Sequence, residues 1–524
     1  MSAVVTDQFR ISNAGNFVDS VLSTDNSYYV FLGLSNPTLN PGFGRASTWN
    51  TSPPNPVDNF QYEWQDGSTS QFGKKINSQN IRRVIRKVDW VVNLSYDMYR
   101  HDYSPTFNAP VSKTARLYDS NYYVVTSDYN VYICIENGST GAPGTTDAKG
   151  KTSKFEPTST ELEPFSAGND DYVWKYLYTV SPSDIVKFDS TEYIVVPNDW
   201  ATSTNSQIQN VREAGDSTIN TNKIKTVYVE NAGAGYQNNK SETVDILGDG
   251  SGGKVVVKTN AIGVITSVTV TAGGTGYTYG MIDLGPIHKS GATPFTTAAK
   301  LIPIIPPSRG HGYDIYKELG ADRVLVYARF DDSTRDFPTN SAFAQVGIVK
   351  NPKTFSAIGS TFTGTQYSSL NAIKLTSALD AHVDIGTLIT QTNSNGIASG
   401  YLASYDKETK VIKYYQDRSL YLNQASQDQT DYNTVSTKAK NVTFSGGTGS
   451  VNFVGASAVS VDEGFSGIST VVNDKTIDLG VSFTDGYADP EINKTTGDVI
   501  YIDNRKLVER DSRQKEDIKI ILEF

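Results

Sequence analysis

The chain is poor in the side chains that carry most metal, redox and proton-transfer chemistry. Its 524 residues include one cysteine (Cys134), three methionines and four scattered histidines, His101, His288, His311 and His382. A single thiol excludes an internal disulfide and any cysteine-based metal site. Basic residues are in deficit: 46 Lys and Arg against 56 Asp and Glu leave a net charge of −10. A surface made for nucleic acid or an anionic membrane carries the opposite excess. No apolar run approaches the roughly 18 residues that a membrane-spanning helix requires. The opening MSAVVTDQFR lacks the basic and apolar regions of a secretion signal, which predicts synthesis in a reducing cytosol. G-x-S-x-G, Walker and H-E-x-x-H patterns are missing as well. The reading therefore assigns no catalytic residue, no cofactor and no metal ligand.

What is abundant points to β-structure. Tyrosine (31) outnumbers phenylalanine (21), amid much Thr, Ser, Asn and Val. β-Branched and aromatic side chains suit a pleated, half-buried surface, whereas Ser, Thr and Asn compete with helical hydrogen bonds. The length suits roughly three to four domains. One helix is expected near the start, with Phe17, Val18, Val21 and Leu22 on its face and Ser12 or Asn13 as its cap.

Strands are expected at Tyr28 to Leu34, Asp89 to Val92, Tyr122 to Ser127 and Asn130 to Glu136, the last two joined by a turn at Asp128-Tyr129. The Pro-rich excursion 36–73 should be pinned by Trp49, Phe60 and Trp64. A loop should fill 138–168. In Tyr172 to Tyr178 every aromatic falls on the even positions, so one face is aromatic and the other partly wet. Tyr193 to Val196 is apolar on both faces and reads as a central strand. Further strands are expected at Arg323 to Phe330, Gln345 to Lys350 and Asp498 to Asn504, with a strand pair within Tyr401 to Tyr415.

Two blocks differ in texture. Within 201–300 the string from Ile224 through Gly233-Ala-Gly235-Tyr236 recurs, offset by 41 positions, as Ile265 through Gly274-Thr-Gly276-Tyr277. Each unit reads as an alternating strand ending in a Gly-x-Gly-Tyr corner. The glycines would supply positive φ and the tyrosine would plug the turn; two such units make a small β-domain. The second block, 353–490, is rich in Thr, Ser, Gly and Asn.

Short polar motifs read as structure rather than chemistry. Asp170-Asp171 and Asp331-Asp332 are adjacent and cannot form a dyad on one strand face; solvated loops are expected. Asp245 and Asp249 lack calcium-loop spacing. The Gly-rich strings at 248–253 and 273–276 lack the features of a phosphate cradle and read as turns. Arg309-Gly-His311-Gly-Tyr313-Asp314 is a glycine-hinged loop whose polar side chains should lock a domain junction. The basic cluster Arg82, Arg83, Arg86 and Lys87 reads as a protein-contact or carboxylate-pairing surface.

Several strings, in order from end to end, give the chain a resemblance to a known family. They are Val4-Val5-Thr6 with Phe9-Arg10, Pro53-Pro54-x-Pro56-x-Asp58, Asp89-Trp90, Tyr172-Val173-Trp174-x-Tyr176-Leu177 and Glu192-Tyr193-Ile194-Val195-Val196-Pro197. Gly497-Asp498-x-Ile500-Tyr501-x-Asp503-Asn504-Arg505, Glu516-Asp517-Ile518 and Phe524 complete the series. The chain resembles the baseplate wedge subunits of T-even-type contractile-tailed bacteriophages over roughly 1–200, 301–352 and 490–524.

The resemblance implies a mainly-β protein: a discontinuous β-sandwich core with helix-bearing excursions and two inserted small β-domains. The core would comprise 1–200, 301–352 and 491–524, and the insertions 201–300 and 353–490. It implies a structural protein of the virion tail baseplate, assembled in the host bacterial cytoplasm. Partners would be other baseplate wedge proteins and a second copy in a homodimer, with no nucleic acid and no membrane insertion. The alternative is a tail-associated adhesin that binds host-surface carbohydrate through the inserted domains. Arg82, Arg83, Arg86, Arg309, His311 and Tyr313 are the candidate interface or junction residues.

At the C-terminus, Ile518, Ile520, Leu522 and Phe524 point one way. A strand with such a face should be integral to its sheet, so deletion of 517–524 should give insoluble protein; soluble, folded truncated chain on expression would contradict this.

Overall fold

The computed structural model describes residues 4–37, 48–58, 69–142, 144–216, 223–291, 293–331, 337–338, 340–357, 359–394, 396–416, 443–444, 449–511 and 514–524. The fold is mainly β, and the chain divides into two compact units, each discontinuous in sequence. One comprises 1–18, 82–325 and 521–524; the other comprises 19–81 and 326–520. Segments expected to form one core thus contribute to both units, and each unit contains one of the two inserted blocks.

In the first unit, Tyr123–Val125, Asn130–Asn137 and Tyr172–Thr179 form an antiparallel three-stranded sheet. Its turn is the expected one, with Tyr129 at a φ of 58°. Tyr172, Trp174, Tyr176 and Tyr178 are all buried, and Tyr172 stacks on Trp174 at 5.4 Å. The opposite face is partly wet, as expected, with Val173 half-buried and Thr179 exposed. Its Leu177 and Lys175 are buried, and the Lys175 ammonium donates to the Leu162 carbonyl at 2.5 Å. Burial lowers the pKa of that amine.

Tyrosine hydroxyls tie neighbouring segments to this sheet. Tyr172 donates to the Lys151 carbonyl (2.7 Å), Tyr178 to Val195 (2.9 Å) and Tyr123 to Arg86 (2.6 Å). Lys151 lies in a loop, whereas Arg86 and Val195 lie on the strands Ile81–Arg86 and Tyr193–Val196, so the same bond links loop to sheet and sheet to sheet.

Within 201–300, Ser241–Gly248, Ser251–Thr259, Ile265–Thr275 and Gly280–Ile282 form a four-stranded sheet, and Val227–Asn231 pairs with Lys300–Pro303. One apolar cluster joins them, from Ile224 and Val229 through Val255 and Val257 to Leu301. The repeat is visible in the backbone. Gly233 and Gly235 have φ of 62° and 83°, and their equivalents Gly274 and Gly276 have 61° and 76°. Both tyrosines are buried. Tyr236 accepts from the Ala299 amide at 2.8 Å; Tyr277 accepts from Gly253 at 3.1 Å and donates to Ile246 at 2.8 Å.

In the second unit a five-stranded sheet has the order Gln366–Ser368, Ser70–Lys75, Tyr28–Gly33, Ala342–Lys350, Asp498–Glu509. Tyr29 donates to the Gly364 carbonyl at 2.8 Å. The second block enters and leaves through the two-residue pairing of Lys353–Thr354 with Ile492–Asn493. Between them lies a seven-stranded sheet over 371–488 with its own core, including Ile373, Ile389, Leu402 and Val451. Gln366–Ser368 belongs instead to the five-stranded sheet, so the block that stands apart is shorter than 353–490. The hairpin expected within Tyr401 to Tyr415 pairs Gly396–Asp406 with Val411–Tyr415.

Several local expectations require correction. The first helix spans Asp7–Leu22; the Thr6 hydroxyl accepts from the Phe9 amide at 3.3 Å, and Ser12 and Asn13 lie inside the helix. Helices at Pro182–Phe188, Ser206–Asp216 and Ile315–Leu319 were not anticipated: the first and last are too short for a 3.6-residue period to stand out, and Ser206–Asp216 is polar along most of its length. Asp89 makes one bridge to Val125, and the chain then turns at Asn93, whose φ is 63°, so no strand runs through Val92. Tyr193–Val196 is not central. It pairs with Ile81–Arg86 and ends its sheet, and its burial comes from cover rather than from two neighbouring strands.

Asp170 is buried and accepts from the amides of Lys154 (2.7 Å), Phe155 (3.3 Å) and Tyr172 (3.2 Å). Asp331 is buried as well, so neither of these two aspartates sits in a solvated loop, whereas Asp171 is exposed as expected; Asp332 lies outside the described residues. Trp49 is buried, with its indole N–H on the Arg505 carbonyl at 2.9 Å. Phe60 and Trp64 lie outside the described residues. The C-terminal strand Glu516–Glu523 is tied by Arg329 to Asp517 (2.6 Å) and by Arg323 to Glu523 (2.7 Å). Ile520 is its deeply buried apolar residue, and Ile521 on the opposite face is exposed.

Tyr277→Phe should cost about 1–3 kcal/mol, because it strands a buried amide and a buried carbonyl. Tyr279→Phe, at a position 64% exposed, should change stability by less than about 0.5 kcal/mol. Denaturant unfolding of the two variants checks the difference.

Candidate functional site

The two polar clusters marked out by the sequence, about 220 positions apart, meet in the first unit. Ile81–Arg86 carries the first. Its Val84 and Ile85 are buried while Arg82, Arg83 and Arg86 are half-buried, and each arginine straps a different segment to the strand. Arg82 pairs with Asp184 at 2.9 Å and lies over the Phe188 ring at 5.3 Å. It thereby holds helix Pro182–Phe188, whose first turn is capped by Ser181. Arg86 donates to the carbonyls of Ser120 (2.8 Å) and Asp119 (3.3 Å). Neighbouring Lys87 pairs with Asp189 at 3.0 Å.

Arg83 makes the connection. Its guanidinium lies 3.9 Å from the centroid of the Tyr316 ring, a desolvated cation–π geometry, and its amide donates to Asn198 at 3.1 Å. The Tyr316 hydroxyl donates to the Pro197 carbonyl (2.6 Å) and accepts from the Trp200 amide (3.3 Å). Burial raises the Tyr316 pKa to about 12. From Trp200 the chain of contacts runs into the second cluster, since the indole N–H is shared between the carbonyls of Gly312 and Tyr313, both at 3.1 Å.

The loop from Arg309 to Asp314 is held from within. Gly310 and Gly312 have φ of 86° and 92°, which bends the backbone around the buried His311. The His311 Nδ1 lies 2.5 Å from Glu318 Oε1, and Glu318 Oε2 accepts from the Gly312 amide at 2.7 Å. Tyr99 meets the imidazole edge to face at 4.8 Å. Asp314 caps helix Ile315–Leu319 through the Lys317 amide (3.2 Å), and Gly320 closes it at a φ of 66°. Arg309 folds back on Tyr313, hydrogen-bonding its hydroxyl and covering its ring at 3.7 Å. The circuit closes where Tyr122 donates to the Glu318 carbonyl at 2.5 Å, two residues from the segment that Arg86 holds.

Chemically, a histidine and a glutamate in contact could pass a proton. The cavity touching His311 measures only about 10 Å³, between Tyr99, Ile135, Lys225, Thr226, Ile304 and Pro306. That admits about one water, whereas ligand pockets run to hundreds of cubic ångströms. The arrangement is a buried brace. Among the described residues no cluster of three or more His, Cys, Asp or Glu could hold a metal ion. Asp245 pairs with Lys254 at 2.6 Å, and Asp249 accepts from the Thr278 hydroxyl at 2.5 Å; the latter contact holds its carboxyl below the usual range.

Two anchors escaped the sequence reading. Asp97, fully buried, accepts from Val111 (2.8 Å), Ser112 (3.2 Å) and Asn121 (3.3 Å). Arg100, also buried, pairs with Asp102 at 2.8 Å and covers the Tyr228 ring at 4.2 Å. The run Asp97-Met-Tyr-Arg-His-Asp102 is dense enough in polar residues to have marked the region. Comparison with protein-family models and with curated proteins finds no match for this chain.

Glu318→Ala should destabilise the protein by about 3–5 kcal/mol, because His311 and the Gly312 amide lose their buried acceptor. Arg309→Ala, at an exposed pair, should cost less than about 1 kcal/mol. Chemical denaturation separates the two, and equal costs would contradict the brace.

Proposed function

We propose that the protein is a non-enzymatic structural component of a phage contractile-tail baseplate wedge. It would bridge neighbouring wedge proteins during tail assembly and host attachment. The sequence support is the ordered series of strings shared with the wedge subunits, from Val4 to Phe524. The structural observation that carries the reading is how the sequence-marked side chains are used: Arg82, Arg83, Arg86 and His311 all brace segments of their own unit, as a load-transmitting part requires.

Outward-facing apolar groups supply the complementary element. Val91, Val92 and Leu94 are 50%, 53% and 46% exposed on a turn fixed at both ends. Trp90 donates to the Val125 carbonyl at 2.9 Å and Asn93 to the Ser153 carbonyl at 2.7 Å, while the Val91 amide donates to the Tyr96 hydroxyl at 2.6 Å. Rigid exposed apolar groups suit a protein–protein contact, since little ordering entropy is lost on docking. No helix among the described residues is long and apolar enough to cross a membrane.

Light scattering of the purified chain, alone and co-expressed with neighbouring wedge proteins, tests the proposal. A dimer that enters a larger complex is expected; a monomer that ignores those partners would overturn it. The double variant Val91→Asp, Val92→Asp should keep the fold, read by circular dichroism, and lose at least about tenfold in complex formation.

A further inference from the structure

A cavity of about 240 Å³ lies wholly within the second unit, lined by Phe72, Tyr367, Lys413, Leu479 and Glu491, with Asp406 and Asp478 at its margin. It is partly open to solvent. Lys413 sits where alternation calls for an apolar residue. On strand Val411–Tyr415, Ile412 and Tyr414 pack into the core of the seven-stranded sheet. Val411, on the same face as Lys413, packs with Ala372, Leu479, Val481 and Phe483.

Two lysines among the described residues are buried, and each amine is satisfied by a carbonyl: Lys175 by Leu162 and Lys374 by Thr409, both at 2.5 Å. Among the described residues Lys413 has no such acceptor. Its ammonium lies 5.2 Å from the centroid of the Phe72 ring, and Glu491 is the one charged group whose field favours its protonated form. Burial outweighs that field and lowers the amine's pKa to about 8. Near neutral pH the free-amine fraction is then roughly two hundred times that of an ordinary lysine. Glu491 is shifted the other way: burial raises its pKa, although the Ser368 amide donates to it at 2.7 Å. A nucleophilic amine and a carboxyl that can take up and return a proton, in one cavity beside apolar walls, are the two groups that imine formation requires.

We propose that this cavity captures a small aldehyde as an imine on Lys413, with Glu491 as the proton carrier. The Lys413 nitrogen attacks the carbonyl carbon, and a C–N bond forms as the C=O electron pair moves to oxygen. The two protons lost from nitrogen leave on that oxygen as water, relayed by the Glu491 carboxyl, and the C=N bond closes as the C–O bond breaks. Amine and aldehyde give imine and water, with no oxidant or reductant. Asp406 does not compete for the amine, because its carboxylate accepts from Glu408, at 2.9 Å, and from Thr409.

The test treats the full chain with glyceraldehyde and cyanoborohydride at about pH 7.5 and maps the reduced adducts by peptide mass spectrometry. Lys413 should label at least about tenfold faster than exposed lysines such as Lys317 and Lys254. Glu491→Gln should slow Lys413 several-fold and leave Lys317 unchanged. Labelling of Lys413 no faster than of Lys317 would overturn the site, and so would a Glu491→Gln chain that labels at the wild-type rate. Lys317 supplies the reference rate within each digest.

Discussion

The hydrogen bond from a buried tyrosine hydroxyl to a backbone carbonyl is the interaction on which the rest of the structure depends. A chain with long irregular segments must satisfy many backbone groups that no sheet supplies. A phenol spans that distance with only two rotatable side-chain bonds, burying its ring in the core and presenting its oxygen to a loop, a helix or a neighbouring strand. Tyr122, Tyr123, Tyr172, Tyr178 and Tyr316 do this in the first unit, Tyr277 does it within the inserted block, and Tyr29 does it in the second unit. With no disulfide available, these bonds provide the cross-bracing.

The arginines extend the same logic to charged groups. Arg83 on Tyr316, Arg100 on Tyr228 and Arg82 on Phe188 use aromatic faces as partners, which suits a guanidinium better than an ammonium. The result is a circuit through the strand at 81–86, the segment at 117–123, Pro197 to Trp200 and the loop from Arg309 to Gly320. Breaking one member leaves others buried and unpaired, so the effects of substitutions there should not add. Such coupling is what a part that holds its shape under load requires.

Much of the fold was legible in the sequence. The alternating aromatics of Tyr172 to Tyr178, the turn at Asp128-Tyr129 and the two Gly-x-Gly-Tyr corners act through local rules of periodicity and φ. Errors arose where distant segments decide the outcome. Tyr193–Val196 looks central because it is apolar on both faces, but cover replaces a second neighbouring strand. Asp170 looks solvated because it lies in a polar run, yet the amides of Lys154 and Phe155 turn back to meet it. In the candidate site, the sequence marked both clusters. It could not show that Tyr316 and Trp200 would join them, since that meeting depends on tertiary packing. Lys413 carried no motif; only its apolar-facing position distinguishes it.

An alkaline titration tests the central claim most directly, following tyrosinate absorbance and the sheet's circular dichroism together. Burial holds the folded pKa of Tyr118, Tyr228 and Tyr316 at about 12, and lifts Tyr122 and Tyr178 well above the usual value of 10. A phenol with a raised folded pKa contributes stability that is fully present below about pH 10 and is lost as pH rises toward the folded value. The account predicts two phases: exposed tyrosines ionise near pH 10 with the sheets intact, and the braced ones ionise only as the sheet signal collapses above it. Ionisation of all 31 tyrosines in one step near pH 10, with the sheet signal unchanged, would contradict it.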